Sequence, residues 1–415
     1  MSKRLVLTNG TLVTMDAGDT IRRADLLVED GRIAAIGSGF EDAEHVDCEG
    51  RLVLPGFVQT HVHLCQAGFR GLAEEVDLLV WLREKIWPFE AAHTPETLAD
   101  SARLGVSELL RTGTTTICDM GSVRHPEVIA DVVAESGLRA VVAKLLMDSQ
   151  EGAPKALLEK RADGLASARD LHGRYDGAAG GRLRVAVAPR FVLSCSRALL
   201  EETARLSAEL DMLVHTHLNE SQGELAAVTE RIGYGGVEYL DRLGLLNDRL
   251  VAAHGVWFQD EELHLLAERG VRITHCPSAN LKLASGICDV KRLRTAGVTV
   301  GLGADGMACN NRADVFEEMR LAGLLSRHLR GREALTARQI VRMATVEGAR
   351  VLDWDGQIGS LEVGKQADLV VLDASDTAGR ILPGADVFDA LVYQYSAQQV
   401  RRVYVAGELR FRAGA

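Results

Sequence analysis

Residues 55–63 read PGFVQTHVH, and this segment carries the strongest structural signal in the chain. It has the character of a strand and closes with two histidines, His61 and His63. Side chains of a strand alternate between its two faces, so histidines separated by one residue face the same way. Chelation of a metal ion needs this arrangement. The stretch therefore predicts a strand whose end carries part of a metal site.

Beyond this stretch, strand-like runs alternate with helical stretches such as 198–210 and 260–269. We expect eight strands, at residues 54–61, 114–118, 139–143, 183–188, 211–217, 250–254, 271–275 and 298–303. Eight βα units over about 300 residues are the number found in a (β/α)₈ barrel. An α/β fold with a doubly wound sheet is the competing prediction.

The two ends of the chain have a different pattern, made of short strands and tight turns. Near the start, apolar runs are separated by Asn9-Gly10 and Asp30-Gly31, dipeptides typical of hairpins. The runs 367–372 and 400–411 mirror this pattern at the other end. Since each flank is too small to fold well alone, we expect one small β domain from residues 1–56 and 356–415. Residues 57–355 would form the barrel domain.

Polar side chains recur at the ends of other predicted strands, where barrel active sites are built. His215 and His217 repeat the spacing of the first pair, whereas His254 and Asp305 each end an apolar run. Imidazole nitrogen with carboxylate oxygen suits Zn²⁺, and Fe²⁺ or Mn²⁺ are alternatives. The spacing leaves open whether His215 or His217 is the ligand. For His275, at a further strand end, lining the pocket and plain packing are both open.

Composition excludes several classes of protein. The chain has 415 residues, of which 47% are hydrophobic and 25% charged, with a net charge of −11. An acidic chain without a basic stripe repels phosphate backbones, so we expect no nucleic-acid partner. No uncharged apolar run reaches the roughly 18 residues that cross a bilayer, so we expect no membrane partner. Seven cysteines without a CxxC pair favour reduced thiols in a cytoplasmic protein.

Two glycine-rich stretches match nucleotide-binding motifs only formally. GLGADG at 301–306 fits GxGxxG, but MACNN follows where a helix is needed. GSLEVGK at 359–365 resembles a phosphate loop, yet Gln366 stands where a magnesium-binding hydroxyl belongs. We therefore expect no nucleotide cofactor. The chain also has no PCxxC, which excludes a cysteine-liganded zinc deaminase site.

Six segments together resemble the amidohydrolase superfamily, in particular its cytosolic aminohydrolase branch. They are PGFVQTHVH at 55–63, THLNE at 216–220, AAHG at 252–255, HCPSANLKLASGI at 275–287, GLGADG at 301–306 and GSLEVGKQADLVVLD at 359–373. The resemblance implies a distorted (β/α)₈ TIM barrel with a small β-sandwich made from both chain ends. It also implies one divalent metal ion, usually zinc, and a homo-oligomer.

Carried over position by position, the resemblance assigns roles to the polar strand ends. The implied metal ligands are His61, His63, His217 and Asp305. The implied catalytic residues are Glu220, His254 and, again, Asp305. In this assignment Glu220 takes a proton from water and passes it to a ring nitrogen, after which ammonia leaves. Glu220 and His254 would also contact the substrate.

Other segments are similar to two kinds of purine deaminase. Trp81 and Glu90 lie in a segment similar to adenosine-type enzymes, in which the matching glutamate binds the ribose hydroxyls. Arg190-Phe191 is similar to a pair in guanine deaminases, and Gln66 matches a base-contacting glutamine of that group. All of these residues would bind the small-molecule substrate.

The resemblance as a whole favours hydrolytic deamination of a 5′-modified adenosine to the inosine analogue and ammonia. The candidates are 5′-deoxyadenosine, 5′-methylthioadenosine and S-adenosylhomocysteine. Lys144 and Lys155 are the nearest cations for the carboxylate of the last, and a lysine lacks the bidentate fork of arginine, which tilts the choice to uncharged 5′ groups. The alternative is a guanine-like oxopurine or pterin deaminase. A triazine-type hydrolase is disfavoured by the intact Glu220, and a non-enzymatic subunit by the filled ligand positions.

Overall fold

A curled sheet of nine parallel strands forms the centre of the computed structural model, which describes residues 4–74, 76–149, 152–375 and 378–414. In chain order the strands are Phe57–His63, Thr114–Ser122, Arg139–Leu146, Leu183–Pro189, Val214–Leu218, Leu250–His254, Arg272–His275, Thr299–Leu302 and Asp305–Gly306. The longest of them are buried over their full length. All eight predicted strands are present, and a short ninth strand follows the eighth.

The central sheet curls until its two edges meet. The short strand Asp305–Gly306 pairs with Phe57–His63, with Asp305 opposite Val62. Only residues 303 and 304 separate it from Thr299–Leu302 at the other edge of the sheet. The distorted (β/α)₈ barrel is thereby confirmed, and the doubly wound alternative is wrong.

The first barrel strand begins at Phe57, later than the predicted run 54–61. The preceding strand, Arg51–Pro55, belongs to a sheet of the chain ends, and the chain changes sheets at Gly56. A Cβ atom on Gly56 would lie 2.1 Å from the Thr115 side chain, so the crossing requires glycine. The apolar run conceals this change because the strands on both sides of it are buried.

Helices surround the barrel, and the long ones bury one face each. In Pro95–Arg111, Thr94 accepts a hydrogen bond from the Thr97 N–H, and Leu98, Ala102 and Leu109 lie on the buried face. The other α-helices are Leu78–Trp81, Trp87–Ala91, Pro126–Ser136, Arg161–Tyr175, Ala178–Gly181, Arg197–Leu210, Gln222–Ile232, Gly236–Arg242, Asp260–Glu268, Pro277–Lys282, Val290–Thr295, Val315–Arg330, Ala337–Met343, Val346–Val351 and Val387–Tyr393. A π-helical turn spans Leu82–Ile86, and 3₁₀ turns span Leu64–Phe69, Lys155–Leu157, Val192–Ser194, Gly331–Glu333 and Ala397–Gln399.

The two chain ends form two further sheets, as expected. The six-stranded sheet runs in the order Glu408–Arg412, Val400–Val405, Leu369–Asp373, Arg51–Pro55, Thr11–Val13 and Ile21–Arg23. The four-stranded sheet runs in the order Arg32–Gly37, Asp25–Glu29, Arg4–Thr8 and Glu44–Asp47. Leu5 and Leu26 of the second sheet share a separate small core with Val53 and Leu369 of the first. The domain bounds at 56/57 and 355/356 stay a prediction.

A buried ion pair joins the barrel to the end sheet. The Arg139 Nε donates to Asp368 Oδ2 at 2.7 Å, and Asp368 Oδ1 accepts from the Ala406 N–H.

The chain's seven cysteines all lie buried as free thiols. Within the described ranges, no helix combines the length and the apolar character that crossing a membrane requires.

Candidate active site

Three strand ends bring the predicted metal ligands together. The Nε2 of His61 lies 3.1 Å from Asp305 Oδ1, and the Nε2 of His63 lies 3.4 Å from the same oxygen. The Nε2 atoms of His63 and His217 are 3.2 Å apart. A tetrahedral zinc ion with bonds of about 2.0–2.1 Å places its ligand atoms about 3.4 Å apart. The four side chains therefore converge with the spacing of a metal centre.

Hydrogen bonds on the far side of the rings direct the lone pairs into this centre. His215 Nδ1 lies 2.9 Å from the Val251 carbonyl, which can only accept, so the neutral ring presents its bare Nε2 to His61. His61 Nδ1, 2.7 Å away, donates to that nitrogen, which leaves its own Nε2 as a ligand atom. In the same way, His217 Nδ1 donates to the Arg190 carbonyl at 2.6 Å. The geometry favours His217 as the ligand, because its Nε2 faces the centre whereas the Nε2 of His215 is bonded to His61.

We expect His215→Phe to weaken metal affinity about 10- to 100-fold, because His61 Nδ1 loses its acceptor and the ring its orientation. Competition with a chromophoric chelator measures this loss. His264, an exposed histidine bonded only to the Asp260 carbonyl, provides the matched control variant His264→Phe. Unchanged affinity in His215→Phe would contradict the orienting role.

The donor set fits a divalent cation. Burial, aided by neighbouring histidines, holds the pKa of His61, His63 and His217 well below the ordinary value, so the three rings are neutral. Burial raises the pKa of Asp305, but the neighbouring His254 is foremost among the groups that outweigh it, so the pKa is lowered overall and the carboxylate is ionised. His63 Nδ1 and His254 Nε2 are buried without a hydrogen-bond partner among the described residues. Neutral imidazoles around one carboxylate are the ligands that divalent transition metals take.

His254 stands between the metal centre and Glu220. One donor atom each from His61, His217, His254 and Asp305 lies within 4.8 Å of the others, so His254 also has the position of a ligand. Its Nε2 is nevertheless 3.9 Å from Asp305 Oδ2 and closer, at 3.4 Å, to Glu220 Oε2. His254 Nδ1 donates to Asn280 Oδ1 at 2.8 Å. This arrangement favours the predicted catalytic pairing of His254 with Glu220.

The Glu220 carboxyl is buried at the edge of the centre. Ser285 Oγ donates to its Oε1 at 3.2 Å, and its backbone N–H donates to Glu224 Oε2 at 2.7 Å. Burial is the largest influence and raises the pKa of Glu220 to about 7. A carboxyl group that exchanges its proton near neutrality is suited to general acid–base chemistry.

Three residues at or beside the candidate site have a strained backbone. His254 has φ 74° and Asp305 has φ 62°, values in the left-handed region that residues other than glycine rarely adopt. Asn219, beside Glu220, has φ 52°. Such conformations concentrate at functional sites, because the surrounding packing must enforce them.

Sequence reasoning missed several residues that support the site. Asp119 Oδ1 accepts from the Leu64 N–H at 2.7 Å and so fixes the backbone directly after His63. Asn280 and Ser285 lie in the segment HCPSANLKLASGI, but the spacing of the sequence does not predict their contacts with His254 and Glu220. A buried carboxylate in a strand, as in the TTTICDM run at 114–120, was the one available signal for Asp119.

A cavity opens beside the centre. Its lining includes the predicted substrate residues Gln66, Trp81, Arg190, Glu220 and His254. Phe191, Leu78, Leu82 and Leu283 supply apolar walls. Neither Glu90 nor His275 is among the described residues that line it. A flat, largely apolar ligand with a few polar atoms fits such a lining.

Two cations considered for a carboxylate tail lie outside this cavity. Lys144 is fully buried, and its Nζ donates to the Glu159 carboxylate and to the Val123 and Leu145 carbonyls. Lys155 is exposed in the 3₁₀ turn that follows. Neither lysine lines the cavity within the described part of the chain.

A barrel with a divalent-metal site at the carboxyl ends of its strands places this chain among the metal-dependent hydrolases. Residues 52–410 match the amidohydrolase family. The 5′-deoxyadenosine deaminase of Methanothermobacter thermautotrophicus is 39% identical over 418 residues, covering 100% of this chain and 95% of the relative. The chain therefore belongs to the amidohydrolase family, as a deaminase-type hydrolase of carbon–nitrogen bonds.

Two further proteins are similar over the full length. The 5-methylthioadenosine/S-adenosylhomocysteine deaminase of Natronomonas pharaonis is 39% identical over 410 residues, covering 98% of this chain and 92% of the relative. The crystal structure of a zinc-bound adenosine deaminase from Xanthomonas campestris superposes with a TM-score of 0.92 at 35% identity, covering 99% and 94% of the two chains. The resemblance found in the sequence is thereby confirmed.

Proposed function

We propose that this protein hydrolyses the exocyclic amine of a 5′-modified adenosine, giving the inosine analogue and ammonia. The observation that carries the proposal is the buried Glu220 carboxyl, 3.4 Å from His254 Nε2 at the edge of the metal centre. Displacing an amine from a purine ring requires a proton on the ring nitrogen, and Glu220 is the acid positioned for it. The substrate class is supported by the similarity of the chain to a 5′-deoxyadenosine deaminase and a 5-methylthioadenosine/S-adenosylhomocysteine deaminase.

In the proposed reaction the site residues have separate roles. His61, His63, His217 and Asp305 would hold zinc, which would supply the Lewis acidity that makes water a nucleophile near neutral pH. Glu220 takes one proton from the attacking water and delivers it to the ring nitrogen, then carries the second proton of that water to the amine, which leaves as ammonia. His254, fixed by Asn280, stabilises the charge that develops at the attacked carbon's oxygen. Trp81 and Phe191 enclose the base.

The surroundings of the cavity favour an uncharged 5′ substituent. The Lys144 ammonium is paired with the Glu159 carboxylate at 2.5 Å, so it is not available to bind the carboxylate of S-adenosylhomocysteine. 5′-Deoxyadenosine and 5′-methylthioadenosine carry no such group. We therefore propose these two as the preferred substrates.

A guanine-like oxopurine is the second candidate, favoured by Arg190 and Gln66 in the cavity wall. A guanidinium can only donate hydrogen bonds, and a carbonyl oxygen accepts them, whereas the amine of adenine does not. Gln66 Oε1 is buried without a partner among the described residues and offers an acceptor beside it.

Ammonia release by the zinc-loaded protein decides between the two candidates. We expect turnover of 5′-deoxyadenosine and 5′-methylthioadenosine, with lower kcat/KM for S-adenosylhomocysteine and none for guanine. Turnover of guanine alone would replace the proposal by the oxopurine candidate. Silence on all four compounds would contradict the substrate class and leave the metal-dependent hydrolase in place.

Zinc as the native metal, a cytoplasmic location and a homo-oligomeric state belong to the same proposal. Zinc is supported by the zinc-bound Xanthomonas structure. The location is supported by the seven buried free thiols. Metal analysis of the purified protein and its mass in solution test the first and third of these.

A further inference from the structure

Glu90 forms a buried ion pair with Arg190. The resemblance to the two kinds of purine deaminase does not assign this contact to it. Arg190 Nη1 donates to Glu90 Oε2 at 2.6 Å, and Nη2 donates to Oε1 at 3.2 Å. Gln66 Nε2 adds a third hydrogen bond, to Oε1 at 3.0 Å. The side chains of Arg190 and Glu90 are only 3% and 5% exposed. The carboxylate therefore accepts three hydrogen bonds from donors of the cavity wall.

The position of Glu90 agrees with this commitment. Arg190 and Gln66 line the catalytic cavity, whereas Glu90 lies behind them and borders a separate small space with His93, Ser122 and Arg124. A ribose in the catalytic cavity would have to separate Glu90 from both donors before it could reach the carboxylate.

We infer that Glu90 is a positioning residue, the buried counter-ion that holds Arg190 and Gln66 in the wall of the substrate cavity. The inference rests on the deaminase function proposed above, but not on an adenosine as the substrate. A fork-to-fork pair fixes the plane of the guanidinium, and its remaining N–H groups are then aimed at the ligand. Without Glu90, an unpaired guanidinium would be left in a buried wall.

Arg190 also connects this pair to the metal centre. Its carbonyl accepts from both the Nδ1 and the backbone N–H of His217, at 2.6 and 3.1 Å. A displacement of Arg190 would therefore also disturb the acceptor that orients His217, a predicted metal ligand. Gly306 completes the wall, since a Cβ atom there would lie 2.0 Å from Gln66 Oε1.

A double-mutant cycle tests the inference through kcat/KM for the substrate that the ammonia assay identifies. We expect Glu90→Gln to lower kcat/KM about 10- to 100-fold in the wild-type background, within the range of coupling between contacting residues. In the Arg190→Gln background the same change is expected to have less than about a threefold effect, because the charge it balances is gone. An undiminished loss in that background would overturn the inference and restore Glu90 as a direct ribose contact.

Two further variants keep the test decisive. Glu108→Gln removes an equally buried carboxylate, which pairs with Arg70 outside the cavity lining, and is expected to leave kcat/KM unchanged. If Glu90→Gln does not fold, Glu90→Asp takes its place, and its smaller loss must likewise vanish in the Arg190→Gln background. Persistence of that loss would overturn the inference equally.

The cycle also separates this inference from the proposed substrate. If the enzyme acts on guanine and on no adenosine, the proposed function fails, and the cycle is run with guanine. Guanine has no ribose, so a ribose contact predicts no loss from Glu90→Gln, whereas the counter-ion predicts the full loss.

Discussion

Glu220→Gln is expected to lower kcat by about 10²- to 10⁴-fold while the protein keeps its full complement of metal. The amide preserves the shape of the side chain and can still accept from Ser285 Oγ. It cannot take up a proton and return it, so both the activation of water and the protonation of the ring are lost. Ammonia release and metal content, measured on the same sample, test the two halves of this expectation.

Glu318 provides the matched control for Glu220. It is equally buried, and burial likewise raises its pKa to about 7, but its partners are Ser278 and Asn310 and it does not line the described cavity. We expect Glu318→Gln to retain metal and most of the activity. If Glu220→Gln were as active as this control, the proton-transfer role of Glu220 would be wrong.

Much of this site could be predicted because it depends on local spacing. His61 and His63 share a strand face, and His254 and Asp305 end apolar runs, so a barrel brings them to one rim without further information. Glu220 follows His217 by three residues, but its role was implied by the family resemblance and not by the spacing. The period of a strand and the direction of parallel strands are sufficient for this level of prediction.

The rest depends on contacts between residues far apart in the chain. His215 reaches His61 across 154 residues, and Arg190 reaches Glu90 across 100. The spacing could not distinguish His215 from His217, because both histidines lie on the same strand and only the hydrogen bonds of their rings separate a ligand from its support. The change of sheet at Gly56 was hidden for a related reason, since buried strands of two sheets form one apolar run.

Removal of the metal is expected to inactivate and destabilise the protein. We expect dialysis against a chelator to abolish ammonia release and to lower the unfolding temperature. The Nε2 atoms of His63 and His217 lie 3.2 Å apart, and the His217 proton is committed to the Arg190 carbonyl, so a bound cation keeps the two nitrogens from repelling each other. A metal at about 100 times its Kd stabilises the folded state by about 2.7 kcal/mol, and this contribution is lost on chelation.

Restoring individual metals then tests the donor set. Zn²⁺ is expected to restore both activity and unfolding temperature, and Mn²⁺ or Fe²⁺ to restore part of the activity, because imidazole nitrogen with one carboxylate suits all three. Mg²⁺ prefers oxygen ligands and should restore neither, which makes it the matched control. Since the neutral imidazoles of His61, His63 and His217 are the discriminating donors, recovery with Mg²⁺ would contradict the ligand set. Full activity in a protein shown to be free of metal would contradict the metal centre itself.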